Sequence, residues 1–114
     1  MNLTGELSIG PDDVIESWEV DEKHIRITLD GAYYDGVHRN KVELNFPLVS
    51  APIQMAYDSN TDLWSQREEI EGFSNICENF CKLDSHFSLK GFGRESGLWI
   101  SLGFVSKQPE IFFQ

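Results

Sequence analysis

The feature that most constrains the fold is an alternation that runs from residue 87 to residue 105. Phe87 and Leu89 precede a polar, glycine-bounded linker, Gly93-Arg94-Glu95-Ser96-Gly97, and Leu98, Ile100, Leu102 and Phe104 follow it. Large apolar side chains at period two on both sides of such a linker predict a β-hairpin with one buried face. Each of those side chains, once buried, contributes roughly 1.5–3 kcal/mol. The hairpin is therefore expected to form the hydrophobic floor of a sheet, and it carries no chemistry of its own.

Two other stretches alternate in the same way. Ile25, Ile27 and Leu29 interleave with His24, Arg26 and Thr28, and Val42, Leu44 and Phe46 with Lys41, Glu43 and Asn45. They predict a second hairpin whose tip spans Tyr33 to Asn40. Val14, Ile15, Trp18 and Val20 read as a strand ahead of it, with a helical turn capped by Asp12 or Asp13 as the alternative. Pro47 and Pro52 interrupt the sheet, since proline cannot donate to a ladder.

Beyond residues 58–62 the pattern turns helical. Ile70, Phe73, Cys77, Phe80 and Cys81 recur at spacings of three and four, with Glu68, Glu69, Glu71, Asn75, Glu78 and Lys82 elsewhere on the wheel. Gly72 weakens one continuous helix by roughly 1 kcal/mol, so two helices are expected, at about 62–71 and 74–83, with Ser74 or Asn75 capping the second. The apolar end, Ile111-Phe112-Phe113, predicts an edge strand or a strap over the core. Strands, helices and strands in that order predict a single α+β domain: an antiparallel sheet of about five to six strands with one or two helices packed on one face.

Charge narrows the function classes. The 114 residues carry 19 acidic against 9 basic side chains, a formal net charge of −10, and the basic ones are scattered. Phosphate backbones and anionic lipid surfaces repel such a domain, so neither nucleic acid nor membrane is expected as a direct partner. The first residues show neither a basic nor an apolar leader region, and no apolar run is long enough to span a bilayer, so a cytoplasmic protein is expected. Cys77 and Cys81 would then be reduced, sharing one helix face as small buried thiols, with a disulfide the less favoured reading.

Several groupings invite a chemical reading, and each has a plainer one. Tyr33, Tyr34, Asp35, His38 and Arg39 gather reactive types on one loop, where His38 beside Asp35 could serve as a general base. Asp35-Gly36 is ordinary turn chemistry, however, and exposed tyrosine and arginine fit recognition better. Cys77, Cys81, Asp84 and His86 could be written as a zinc set, but they lack the paired short spacings of structural zinc and no metal or other cofactor is expected. Residues 91–97 have the glycines of a phosphate loop without its spacing or following helix. Glu68, Glu69, Glu71 and Glu78 could supply carboxylates for a metal or for glycoside chemistry, yet a solvated helix face explains such runs more simply. Trp18, Trp64 and Trp99 are read as packing residues.

What remains is the acidic surface. Residues 1–22 hold Glu6, Asp12, Asp13, Glu16, Glu19, Asp21 and Glu22 without a lysine or arginine, and Asp58, Asp62, Glu68, Glu69, Glu71 and Glu78 outnumber the lone Arg67 in the later segment. Carboxylates so massed can steer association with a basic partner and stand in for the phosphates that partner would otherwise bind. Asp58, Asp62, Glu68, Glu69, Glu71, Tyr33, Tyr34 and Asp35 are the expected partner-binding residues of a non-catalytic binding protein. Two other readings compete: a small ligand-binding or enzymatic domain using the Tyr33–Arg39 loop, and an adaptor that oligomerises through Ile111-Phe112-Phe113.

In size, acidity, lack of a catalytic signature and α+β pattern the chain resembles the small cytosolic immunity proteins of bacterial toxin systems, including those of contact-dependent growth inhibition. The resemblance lies in overall character and carries over no residue. It implies a tight one-to-one complex with a cognate toxin domain, often a basic nuclease, whose active site or substrate groove is blocked; the free chain is expected to be a monomer.

Overall fold

The computed structural model describes residues 7–10, 12–82 and 86–113. The described residues form twelve β-strands, numbered in chain order, and no helix. A five-stranded antiparallel sheet runs β8 (Leu63–Arg67), β7 (Ile53–Asp58), β11 (Trp99–Val105), β10 (His86–Phe92), β9 (Glu78–Lys82). A four-stranded antiparallel sheet runs β12 (Glu110–Phe113), β6 (Val42–Pro47), β3 (His24–Leu29), β2 (Ile15–Val20). A three-stranded ribbon joins β1 (Leu7–Ser8), β4 (Ala32–Tyr34) and β5 (Val37–Arg39).

The two larger sheets face each other across one core. The alternating residues put Phe87 opposite Phe104 and Leu89 opposite Leu102 in one sheet, and Ile25 opposite Phe46 and Ile27 opposite Leu44 in the other. All of them are buried. The Phe46 ring meets Phe87 at 5.4 Å and Phe104 at 5.1 Å between centroids, so β6 is sealed directly onto β10 and β11. Leu98 departs from its expected place: it lies just before β11 and is 39% exposed.

The expected α+β architecture is overturned between residues 58 and 82. Residues 58–62 form a turn, with Asp62 at φ 57°, and β8 returns along β7 as a hairpin. Residues 68–77 then run as a strap from β8 past Gln54 of β7 to the edge of β10. Ile70 packs against the core and Phe73 and Ile76 are fully buried, so the three-residue spacing that imitates a helix serves a strap dipping repeatedly into the interior. The backbone bonds outward instead of along itself: Ser74 N–H donates to Phe92 O and Cys77 N–H to Lys90 O, both at 2.8 Å.

Two glycines and one amide make that path possible. A Cβ at Gly91 would lie 2.0 Å from the Asn75 carbonyl oxygen, so only glycine lets the strap pass β10 this closely. At Gly72 a Cβ would lie 2.9 Å from the Trp18 ring, which packs edge-on to Phe73 at 5.4 Å. Gln54, 1% exposed on the inner face of β7, donates from Nε2 to Glu71 O and accepts from Glu71 N–H, each at 3.1 Å. One buried side chain thus stands in for a missing ladder partner and satisfies both backbone groups of Glu71.

The tip of the second hairpin is more ordered than a long turn. Asp35 at φ 52° and Gly36 at φ 76° occupy the two left-handed positions of a type I′ turn, which closes the small β4–β5 hairpin. Chain residues 110–113 form β12, an edge strand with Ile111 opposite Leu44.

Candidate acidic groove and edge strand

A surface groove of about 710 Å³ lies at one end of the sandwich. Three separate pieces of chain wall it: Val20, Asp21 and Glu22 from the β2–β3 turn, Ser50, Ala51 and Pro52 from the β6–β7 connection, and Glu68, Glu69 and Ile70 from the start of the strap. Pairing of β2 with β3 sets the first wall, and the return of β8 along β7 sets the third. The two anionic segments of the sequence therefore meet at one place. Apolar surface from Val20, Pro52 and Ile70 lies among Asp21, Glu22, Glu68 and Glu69, with no lysine or arginine in the lining.

The four carboxylates are not equivalent. Asp21 Oδ1 accepts from the backbone N–H groups of Lys23 and His24, each at 2.7 Å, and these bonds hold its carboxyl below the ordinary carboxylate value. Asp21 thus shapes the turn as well as charging it. Glu22, Glu68 and Glu69 are exposed and form no hydrogen bond or ion pair with the described residues. By contrast Glu16 is held by Lys41 at 3.0 Å and Glu19 by Arg26 at 4.0 Å. Unneutralised charges of one sign around a concave, partly apolar surface concentrate the local potential and attract cations.

Asp58 and Asp62 sit at the far end of the β7–β8 hairpin, a strand length of roughly 20 Å from Glu68 and Glu69. Asp58 Oδ1 accepts from Asn60 N–H at 2.8 Å, and the Asp62 carboxylate accepts from the Tyr57 hydroxyl, a bond that pushes the phenol up from its ordinary value. Between the two acidic ends, every residue of β8 is exposed.

Glu71, expected to contact a partner, is partly exposed, and its carboxylate is bonded to the protein's own backbone. Its Oε1 accepts from the N–H groups of Glu95 and Ser96, both at 3.0 Å, in the turn between β10 and β11. Burial raises its carboxyl, but those bonds, the Ser96 hydroxyl and nearby Arg67 outweigh it and leave the group below its ordinary value. The glycine-bounded turn does cradle an anion, and that anion is the protein's own side chain. A Cβ at Gly93 would fall 2.2 Å from the same oxygen.

Tyr33, Tyr34 and Asp35 lie about one strand length away, beyond the opposite end of β3 from the groove. Tyr33 is exposed with its ring 5.2 Å from His38, and Tyr34 is half-buried against Phe113 at 5.0 Å, where Arg39 also stacks at 4.9 Å. Asp35 serves the turn and makes no hydrogen bond or ion pair with His38. Cys77 is a free thiol whose burial pushes it up from its ordinary value, Asp84 lies outside the described residues, and no group of three metal-ligating side chains occurs among the described ones. No helix of the described residues is long and apolar enough to cross a membrane.

Sequence reasoning did not find Asp21 and Glu22 as the wall facing Glu68 and Glu69, because that depends on which turn faces the strap. It also missed an aromatic row on the outer face of the five-stranded sheet. Trp64 lies opposite Tyr57, Phe92 opposite Trp99, and the β7–β11 register, with Ile100 opposite Ala56, sets Trp99 beside Tyr57. Ring centroids are 5.4 Å apart for Tyr57 and Trp64 and 5.2 Å for Phe92 and Trp99. Comparison with protein-family models, curated proteins and solved structures finds no match for the chain.

Proposed function

We propose that this is a non-catalytic cytoplasmic protein that binds a basic partner through the acidic groove, in the manner of an immunity protein that neutralises a cognate toxin domain. The observation that carries this reading is the convergence of Asp21 and Glu22 with Glu68 and Glu69 around an apolar floor that contains no compensating cation. A lysine or arginine of the partner would be met by carboxylates, and its aliphatic stem by Val20, Pro52 and Ile70. If the partner is a nuclease, the groove presents the charge its phosphate-binding residues were built to receive. Binding there occludes the partner's substrate, and the complex is one-to-one.

Charge of this kind acts mainly on the rate of encounter. Association with the partner should slow at least tenfold from about 0.1 M to about 1 M salt, over which the screening length falls from about 10 Å to about 3 Å. Glu68→Lys with Glu69→Lys should slow it similarly at low salt. An association rate indifferent to both salt and charge reversal would remove the groove from the account.

A further inference from the structure

The outer edge of β8 is open to further pairing. No described strand lies beyond it, and all five of its residues are exposed, with Leu63 at 65% and Trp64 at 41%. Its pairing with β7 runs from Gln54–Arg67 to Asp58–Leu63 without a register shift. The strand contains no proline or glycine, and its one charged residue, Arg67, lies at its last position, beside Glu68 and Glu69. The edge strand β2 of the other sheet differs: its register shifts between Ile15 and Ser17, and Arg94 Nη2 covers the Ile15 carbonyl at 3.1 Å.

We infer that β8 is a strand-addition site for an extended, basic segment of the partner protein, continuing out of the acidic groove. This rests on the reading that the partner is basic. Both ends of the edge are anionic, with Asp58 and Asp62 at one end and Glu68 and Glu69 at the other. A second copy of the chain, paired antiparallel through β8 about Ser65, would lay Glu68 against Asp62, and two molecules of charge −10 would repel as they met. A strand carrying lysine or arginine meets the opposite situation. Main-chain hydrogen bonds supply the affinity of such an addition, and alternate side chains supply its selectivity.

The outer face indicates what those side chains meet. A residue placed beside Trp64 extends the row Trp64, Tyr57, Trp99, Phe92 by one position. Next to that row is a shallow hollow of about 160 Å³ lined by Met55, Trp64, Lys90 and Ser101, with Lys90 Nζ 5.9 Å from the Trp64 ring. Because Lys90 already stacks on one side of Trp64, the site favours an apolar or aromatic side chain on the outer face. The basic side chains then fall at the acidic ends of the strand.

The test uses the full chain and a short capped peptide with lysines at both ends and valines between them, with amide hydrogen exchange read over residues 63–67. The expected result is at least tenfold slower exchange at the outward-facing amides of this strand, absent with a glutamate-for-lysine peptide and absent with a lysine peptide N-methylated on alternate residues. Equal binding of the N-methylated peptide would mean charge attraction without strand pairing and would overturn the inference. Protection of the same amides in the protein alone, accompanied by a sedimenting dimer, would assign the edge to a second copy and overturn it too. Partner binding that is lost on reversing Glu68 and Glu69, yet leaves residues 63–67 unprotected in the complex, would overturn strand addition while sparing the groove.

Discussion

Replacing Gln54 by methionine isolates what holds the strap in place. Methionine keeps nearly the length and volume of glutamine, so the substitution removes the two 3.1 Å hydrogen bonds to Glu71 while leaving the packing of β7 close to native. Each bond is worth about 0.5–1.5 kcal/mol net, and a buried backbone group left without a partner costs about 1–3 kcal/mol. Glu71 is partly exposed, so water can recover some of that cost, and the expected loss is about 2–4 kcal/mol. With a urea dependence near 2 kcal/mol per M, the unfolding midpoint should fall by about 1–2 M with unchanged slope. Hydrogen exchange should place the damage: the amides of Ser74 and Cys77, which donate to β10, should lose protection before those of β3 and β6. A midpoint within about 0.3 M of wild type would refute the argument that this amide replaces a ladder partner.

Four further outcomes follow from the same geometry. Gly91→Ala should cost at least the roughly 1–3 kcal/mol of an overpacked core, since the new Cβ meets a backbone oxygen that cannot rotate away; thermal unfolding reads this directly. Glu71→Gln should lower stability at neutral pH and flatten its acid dependence. Because the folded carboxyl lies below its ordinary 4.5, its contribution is present above that value and is lost as pH falls through the folded one, so wild type should lose more stability than the variant in acid. Phe46→Ala should cost about 3–5 kcal/mol by emptying the contact between the sheets, measured by denaturant titration. His38→Ala should leave partner binding unchanged in a titration, whereas loss of function would revive the ligand-binding reading of the Tyr33–Arg39 loop.

The parts of the fold legible in the sequence are those where one strand face is buried and the other wet. Phe87, Leu89, Ile100, Leu102 and Phe104 announce their hairpin because alternation and burial coincide. In β8 both faces are exposed, so no period-two pattern could mark Leu63–Arg67 as a strand. The strap misled for a different reason: Ile70, Phe73 and Cys77 recur at spacings of three and four, which a helix shares with an extended chain that dips into the core at Ile70, Phe73 and Ile76. Gly72, read as a helix breaker, yields instead to the Trp18 ring, which is a tertiary fact.

The candidate site divides along the same line. That Glu68 and Glu69 were solvated charges could be read from composition, and the structure leaves them unpaired. That the Glu71 carboxylate is bonded within the protein could not, because its partners, Glu95 and Ser96, lie on a turn brought near only by the strap's path. The meeting of Asp21 and Glu22 with Glu68 and Glu69 likewise depends on how the two sheets are stacked. Local sequence carries no trace of that arrangement.

The central claim is that the groove's carboxylates hold a basic partner, and capture on immobilised protein tests it most directly. Wild type and a variant carrying Glu22→Lys, Glu68→Lys and Glu69→Lys would be exposed side by side to the same lysate at low salt, then eluted with a salt step. The account predicts a stoichiometric basic protein on the wild-type column, released by salt and missing from the variant. Equal capture by both columns, or a bound protein that salt does not release, would contradict it.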